Sequence, residues 1–224
     1  AIVHYSADEK SNVPLKEGKL FMTDTGGHYL EGSTDITRTV ALGEVGNIEK
    51  EHFTLVARAM LRLANTVFLY GCSGANLDCI AREVFWKEGL NFNHGTGHGV
   101  GYLLNIHEGP INFRWKEGER PAPALEENMV ITDEPGIYIE GSHGIRLENE
   151  LLVRKTVKNE YGQFMNFEIL TYVPIDLDAI LPEKMSTEEK KMLNHYHKQV
   201  YEKVSPYLSE EERIWLKEYT RAVK

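Results

Sequence analysis

The chain has 224 residues, 42% of them hydrophobic and 26% charged, ordinary proportions for one sizeable core, or one domain with an appendage. Its 25 basic and 34 acidic residues give a net charge of −9, which argues against a phosphate backbone as partner, since that binding rests on clustered Lys and Arg. No apolar run approaches the length of a membrane span, and no signal peptide is visible. Cys72 and Cys79 match neither a zinc nor a redox motif, so a reducing, cytoplasmic setting is expected.

Residues 18–24 (GKLFMTD) and 33–42 (STDITRTVAL) read as strands joined through Gly26-Gly27 and Gly32. From Asn47 to about Leu69, Phe53, Val56, Met60, Leu63/Ala64 and Val67 recur at helical spacing, with Asn47 as the cap. A second helix, about Ala75 to Glu88, presents Leu77, Ile80/Ala81, Val84 and Phe85 and stops at Gly89. Strand-like stretches follow at 128–134, 136–140, 144–155 and 166–174. Ser186-x-x-Glu189 and Ser209-x-x-Glu212 are capping boxes. Each opens a helix, the first striped by Leu193, Tyr196, Val200 and Val204, the second by Ile214, Trp215 and Tyr219. Residues from about 179 onward therefore read as a helical appendage on an α+β body. Its apolar faces pack on that body or on a second copy. His195 and His197, among Lys and Glu, and His52, on the charged face of the first helix, read as solvated.

Four acids sit at strand or strand-end positions, where carboxylates are rarely buried without a partner. Asp24 ends KLFMTD, Asp35 begins DITRTV, Glu134 ends NMVITDE, and Glu148 lies inside GIRLENELLV. Strand alternation puts Leu20 and Met22 on the face of Asp24, and Val130 and Thr132 on that of Glu134. Those acids then point where the core residues point, and a cation resolves the conflict. Four carboxylates and an imidazole form a hard ligand set that suits Mn²⁺, with Co²⁺, Fe²⁺ or Zn²⁺ as alternatives. Four negative charges are too many for one divalent ion and reasonable for two, a known hydrolytic device. The imidazole comes from HGTGHGVG, residues 94–101. That stretch lacks the GK[ST] end of a P-loop and the phase of GxGxxG. Its glycines instead read as a backbone pressed close to a metal pair that His98 holds.

These blocks, with TDTGGHYLEGSTDITRT, HGTGHGVGYLLNIHEGP, DEPGIYIEGSHGIRLENELLV and FEILTYVPID, resemble the metallopeptidases of the pita-bread (creatinase/aminopeptidase) fold. The likeness runs from about His4 to Asp176 and is nearest the cytosolic aminopeptidase P branch. It implies an α+β catalytic domain at 1–178 and a C-terminal helical extension at 179–224. The domain's first helices and the N-terminal domains usual in that branch are missing, so Ala1 is expected to be an artificial or proteolytic start. By the same resemblance Asp24 holds one metal, Asp35 and Glu148 bridge the pair, and His98 and Glu134 complete the second. His4, His94 and His107 match histidines that contact the substrate or the reacting carbonyl, His94 and His107 as oxyanion donors. Arg146 matches an arginine that steadies the bridging carboxylates, while His28 and His143 match no catalytic position. The implied reaction is attack of a metal-bridging hydroxide on an N-terminal Xaa-Pro bond, with Glu134 shuttling the proton. A prolidase acting on Xaa-Pro dipeptides and a non-catalytic peptide- or partner-binding module are the alternatives. A homodimer is the implied assembly.

Overall fold

The computed structural model describes residues 3–6, 8–116 and 121–224; Ala1 lies outside them. Strand β1 (Lys19–Tyr29) pairs antiparallel with β2 (Gly32–Leu42) in unbroken register from Lys19↔Leu42 to Tyr29↔Gly32. β1 therefore continues five residues past its expected end, through the glycine pair, because β2 is long enough to match it residue for residue. Asp24 and Asp35 consequently lie within strands rather than at their ends.

Helix α1 (Asn47–Ala64) is capped by Gly46, not by Asn47, whose side chain turns to Glu51. It stops five residues short of expectation. Asn65 and Thr66 donate their side chains to the Leu61 and Arg62 carbonyls, which terminates the hydrogen-bond ladder. Phe68–Leu69 then forms β3. Helix α2 (Gly74–Lys87) starts at a Ser73/Asn76 capping box and ends before Gly89, whose φ of +68° suits a residue without Cβ.

Two short strands, β4 (Gly97–His98) and β5 (Asn112–Phe113), pair with each other. β6 (Val130–Asp133) then leads to β7 (Gly136–Tyr138) and β8 (Gly144–Arg146), which form a small ribbon. β9 (Asn149–Asn159) and β10 (Gly162–Ile169) complete an antiparallel sheet in the order β3-β10-β9-β6. The single strand expected at 144–155 breaks at Leu147-Glu148, where the two amides change partners. Leu147 donates to Pro135 and Glu148 to Thr37, which ties the β1/β2 hairpin to the sheet. The strand expected to reach 174 ends at Ile169, because the Val173 and Pro174 carbonyls are taken by Arg38. The core, with Phe53, Met60, Phe85, Ile131 and Leu151 all buried, lies where α1 and α2 meet the sheets.

Helices α3 (Thr187–Val204) and α4 (Glu210–Tyr219) each open on the expected capping box. α3 buries Leu193, Tyr196 and Val200 against the body, and the Tyr196 hydroxyl donates to the Val173 carbonyl at 2.7 Å. α4 turns Leu216 inward, while Ile214 and Trp215 are exposed, so its expected stripe is not the buried one.

Two histidines depart from the solvated reading. His197 is 0% exposed; its Nε2 accepts the Ile175 amide at 3.0 Å, and burial pushes it down to about 4. The helix periodicity places it beside Tyr196 and Val200, a stripe wider than its charged neighbours suggest. His52 is half-buried, with its Nδ1 2.8 Å from His143 Nε2. His195 is exposed.

Candidate metal centre

The five side chains expected to share a metal pair come from three strands and two turns. Asp24 is on β1, Asp35 on β2 and His98 on β4, while Glu134 follows β6 and Glu148 sits between β8 and β9. They converge in two overlapping groups of candidate ligands. One is Asp24, Asp35 and Glu148; the other is His98, Glu134 and Glu148, each with ligand atoms within 4.8 Å of one another. A third such group joins Asp35 and His98 to His107. Asp35 is 8% and Glu148 2% exposed, so these two acids lie where water screens them little, while Glu134 is half-buried and Asp24 faces solvent.

The glycine frame has a definite cause. A Cβ on Gly97 would sit 1.8 Å from the Thr132 carbonyl oxygen, and one on Gly99 would sit 2.1 Å from that of Glu108. Glycine lets β4 lie directly on β6, and the amide of His98 then bonds the Thr132 hydroxyl at 3.0 Å. The close approach is thus backbone on backbone, and it aims the imidazole at the acids.

The donor set fits divalent cations. His98 Nδ1 is 3.0 Å from the Gly99 carbonyl oxygen, which can only accept, so Nδ1 carries the hydrogen. The lone pair of Nε2 then faces Asp35 Oδ2 at 3.5 Å and Glu134 Oε1 at 3.3 Å, themselves acceptors. A lone pair aimed at two carboxylates is unfavourable unless a cation or a proton intervenes. A backbone carbonyl fixing the tautomer of a ligating histidine is common around metals. Burial raises Glu134 above the ordinary carboxylate range, and burial with the charges of Glu134 and Asp35 raises Glu148 well above it. Burial works against a charge on His98, yet the Asp35 contact, the Gly99 carbonyl and Glu134 hold it above its usual value. Two divalent ions would balance the four carboxylates.

Arg146, 3% exposed, threads this cluster. It donates to Asp24 Oδ2 at 2.6 Å, to Thr37 Oγ1 at 3.1 Å and to the Tyr138 hydroxyl at 2.9 Å, with its Nε 4.0 Å from Glu134 Oε2. Thr37 in turn donates to Glu148 Oε2 at 2.7 Å, and Thr132 donates to Glu134 Oε1 at 3.1 Å. Sequence reasoning put Thr132 on the face of Glu134 without giving it a role and missed Thr37, although each stands two residues from an acid on one strand face.

A cavity of about 320 Å³ opens over the cluster, lined by His4, Asp24, Asp35, His98, His107 and Glu134 among others. A second of about 250 Å³ abuts it and brings in His94, Arg114 and Arg146. His28 lines the first cavity, with Nδ1 3.0 Å from Ser33 Oγ. His107 stands edge-on to His98, their ring centres 4.2 Å apart.

His94 differs from the donor role implied for it. Its Nδ1 bonds the Gly95 carbonyl at 2.7 Å and burial pushes it down to about 4, so the ring is neutral at pH 7. The buried Nε2, which has no partner among the described residues, therefore holds a lone pair and accepts. A hydrogen-bond donor on the ligand, not an oxyanion, is its match.

An acid-rich centre for hard cations, set in an α+β scaffold, is the class of site these elements build. Residues 1–155 match metallopeptidase family M24, and residues 163–223 match the C-terminal region of peptidase M24. The chain belongs to this metallopeptidase family, and its architecture is the pita-bread fold. It is 40% identical, over its whole length, to the probable Xaa-Pro aminopeptidase P of Paracoccidioides brasiliensis, of which it covers 37%. It superposes on X-prolyl aminopeptidase from Caenorhabditis elegans, a cytosolic enzyme with a di-nuclear active site. There the TM-score is 0.91 at 36% identity, covering 98% of this chain and 36% of that one. Prolidase from Pyrococcus horikoshii matches 75% of this chain and 44% of its own, with a TM-score of 0.61 at 32% identity. The chain thus spans little more than a third of the curated relatives it matches.

Proposed function

We propose that the protein is a metal-dependent aminopeptidase that hydrolyses the N-terminal Xaa-Pro peptide bond, with Asp24, Asp35, His98, Glu134 and Glu148 holding two divalent ions. The observation that carries this reading is the His98 lone pair facing Asp35 and Glu134 inside a cluster of four acids, two of them buried. The oxygen-rich set favours Mn²⁺ over Co²⁺, Zn²⁺ or Fe²⁺. The names of the fungal and nematode relatives support the Xaa-Pro substrate class. When bound, such an ion pair supplies water activation and Lewis acidity toward the carbonyl.

The chain's own residues supply the rest. Glu134, raised by burial, is suited to take a proton from the attacking water and give it to the proline nitrogen as the C–N bond breaks. His107, on the cavity rim, donates to the carbonyl oxygen as it gains charge. His94 Nε2 accepts from a substrate N–H, and His4 closes the same cavity. Arg146 fixes Asp24 directly and Glu148 through Thr37. The free α-amino group of the substrate finds acidic oxygen at Asp24, which restricts cleavage to N-termini.

Residues 1–178 serve as the catalytic unit and 179–224 as a helical extension on it. The cytoplasm is the proposed compartment, in keeping with the cytosolic nematode relative; among the described residues no helix is long and apolar enough to cross a membrane. A homodimer fits the exposed Ile214 and Trp215 of α4, and a monomer mass in solution would remove it.

Asp35→Ala should abolish Mn²⁺-dependent release of the first residue from an Xaa-Pro-Xaa tripeptide and lower the bound metal below two ions. Full activity in that variant overturns the assignment. The prolidase relatives favour a second reading, cleavage of Xaa-Pro dipeptides. Turnover of a dipeptide but not of a tripeptide would select it. A metal content near zero after Mn²⁺ is supplied would select a non-catalytic binding module.

A further inference from the structure

We propose that Asp78 and Arg82, an ion pair buried on α2, are positioning residues for the reaction: they grip the start of the glycine loop at His94 and Thr96 and so set where His94 and Glu134 stand against the substrate. The inference rests on the peptidase reading of the same site.

The pair is 0% and 2% exposed, with Arg82 Nε 2.7 Å from Asp78 Oδ2. Each group spends its remaining bonds outside its own helix. Arg82 Nη1 donates to the Phe92 carbonyl at 2.8 Å and to Asn91 Oδ1 at 3.1 Å, and Nη2 donates to the His94 carbonyl at 2.6 Å. Its guanidinium carbon lies 4.1 Å from the centre of the Phe92 ring, and that ring packs 4.9 Å from the ring of His94. Asp78 Oδ2 also accepts the Trp115 amide at 2.6 Å, and Oδ1 accepts the Thr96 hydroxyl. The Thr96 carbonyl in turn accepts the Glu134 amide at 2.8 Å. Two short routes therefore leave the pair, one through the His94 carbonyl and one through Thr96 to Glu134.

Physical chemistry makes the placement meaningful. A loop punctuated by Gly95 and Gly97 has little conformational preference of its own, so its geometry must be imposed from outside. A buried ion pair is a weak source of stability, since well-packed apolar residues often do as well in its place. What apolar residues cannot do is hold two carbonyls with one planar fork while the partner acid grips a hydroxyl and an amide. Displacement of a catalytic group by about 1 Å can cost about 100-fold in rate.

Arg82→Lys keeps the charge and the pairing with Asp78 but loses the fork. Thr96→Val keeps the shape and the ion pair but cuts the route to Glu134. Both are to be studied in the full-length, Mn²⁺-loaded protein by three readouts. These are metal stoichiometry by calorimetry, kcat and KM on an Xaa-Pro-Xaa tripeptide, and residue-resolved amide exchange. In Arg82→Lys, kcat should fall about 100-fold, more than KM changes, because the freed His94 carbonyl lets the adjoining backbone shift, and with it the Thr96 carbonyl that holds the Glu134 amide in its transition-state position. Two ions should still bind. Exchange should quicken at the amides of Thr96 and Glu134 while that of Val153, in the central sheet, holds. Thr96→Val should show the same pattern more weakly, and it carries the test if Arg82→Lys does not fold.

Wild-type kcat with unchanged exchange at Thr96 and Glu134 would overturn the proposal. So would exchange that quickens evenly along the chain, the mark of a merely structural role. An inactive wild type would instead sink the peptidase reading, and the exchange pattern would still decide whether the pair clamps the loop.

Discussion

Gly97 shows how much one missing methyl group decides. Its neighbour His98 contributes the imidazole, yet the imidazole reaches the acids only because β4 lies on β6 without a Cβ between them. Gly97→Ala would drive a carbon into the Thr132 carbonyl, a backbone atom with nowhere to retreat. The variant should bind Mn²⁺ at least tenfold more weakly, on the order of 1.4 kcal/mol or more, and unfold at a lower temperature. Calorimetric titration and thermal melts check this, and wild-type affinity would mean that the loop adjusts freely. Gly89→Ala, beyond α2, meets open space and is strained only by its positive φ. It should lower stability modestly and leave metal affinity alone.

Elements were legible wherever a local signal fixed them. The two serine capping boxes placed the starts of α3 and α4, and apolar spacing placed α2 within a residue at each end. Ser186→Ala should cost about 1 kcal/mol of global stability, because α3 buries Leu193, Tyr196 and Val200 in the common core. Ser209→Ala removes the same bonds from α4, which buries only Leu216. Its effect should appear as fraying in amide exchange with little change in the melting temperature. Equal shifts in the two melts would show that α4 is part of the cooperative unit. Boundaries set by distant partners were not legible. The end of α1 depends on two side chains folding back on the helix, and the break at Leu147-Glu148 depends on Pro135 and on a strand 111 positions upstream. The four acids were readable as misplaced polarity on strands, and His98 by the glycines that frame it. Asp78 and Arg82 carried a similar signal, an ion pair spaced i,i+4 within the apolar stripe of α2. They went unread because such a pair, without the loop it grips, resembles any surface salt bridge.

At the scale of the molecule, the buried acids and histidines pull stability in opposite directions as pH changes. Burial is the main force on Glu150, with Asp35 nearby, and it raises that carboxyl to about 7 although the Asp35 amide bonds it at 3.0 Å. The unfolded chain releases this proton near 4.5 and the folded chain near 7, so the folded state binds more protons between those values. Stability from Glu150 is therefore full below 4.5 and is lost as pH rises through about 7. His94 and His197, pushed down to about 4 from 6.5 chiefly by burial, act the other way: their stability is present above 6.5 and is lost as pH falls toward 4. A single melting curve against pH mixes these slopes, whereas a variant separates them. Glu150→Gln keeps an oxygen for the Asp35 amide and removes the ionisation. In chelated protein it should gain stability relative to wild type steadily from pH 4.5 to about 7 and hold a constant difference above. Denaturant titrations at half-unit pH steps measure that difference. A flat difference across the window would mean that Glu150 ionises in the folded protein as readily as in the unfolded chain, and that the acids beneath the metal centre are better solvated than their burial implies.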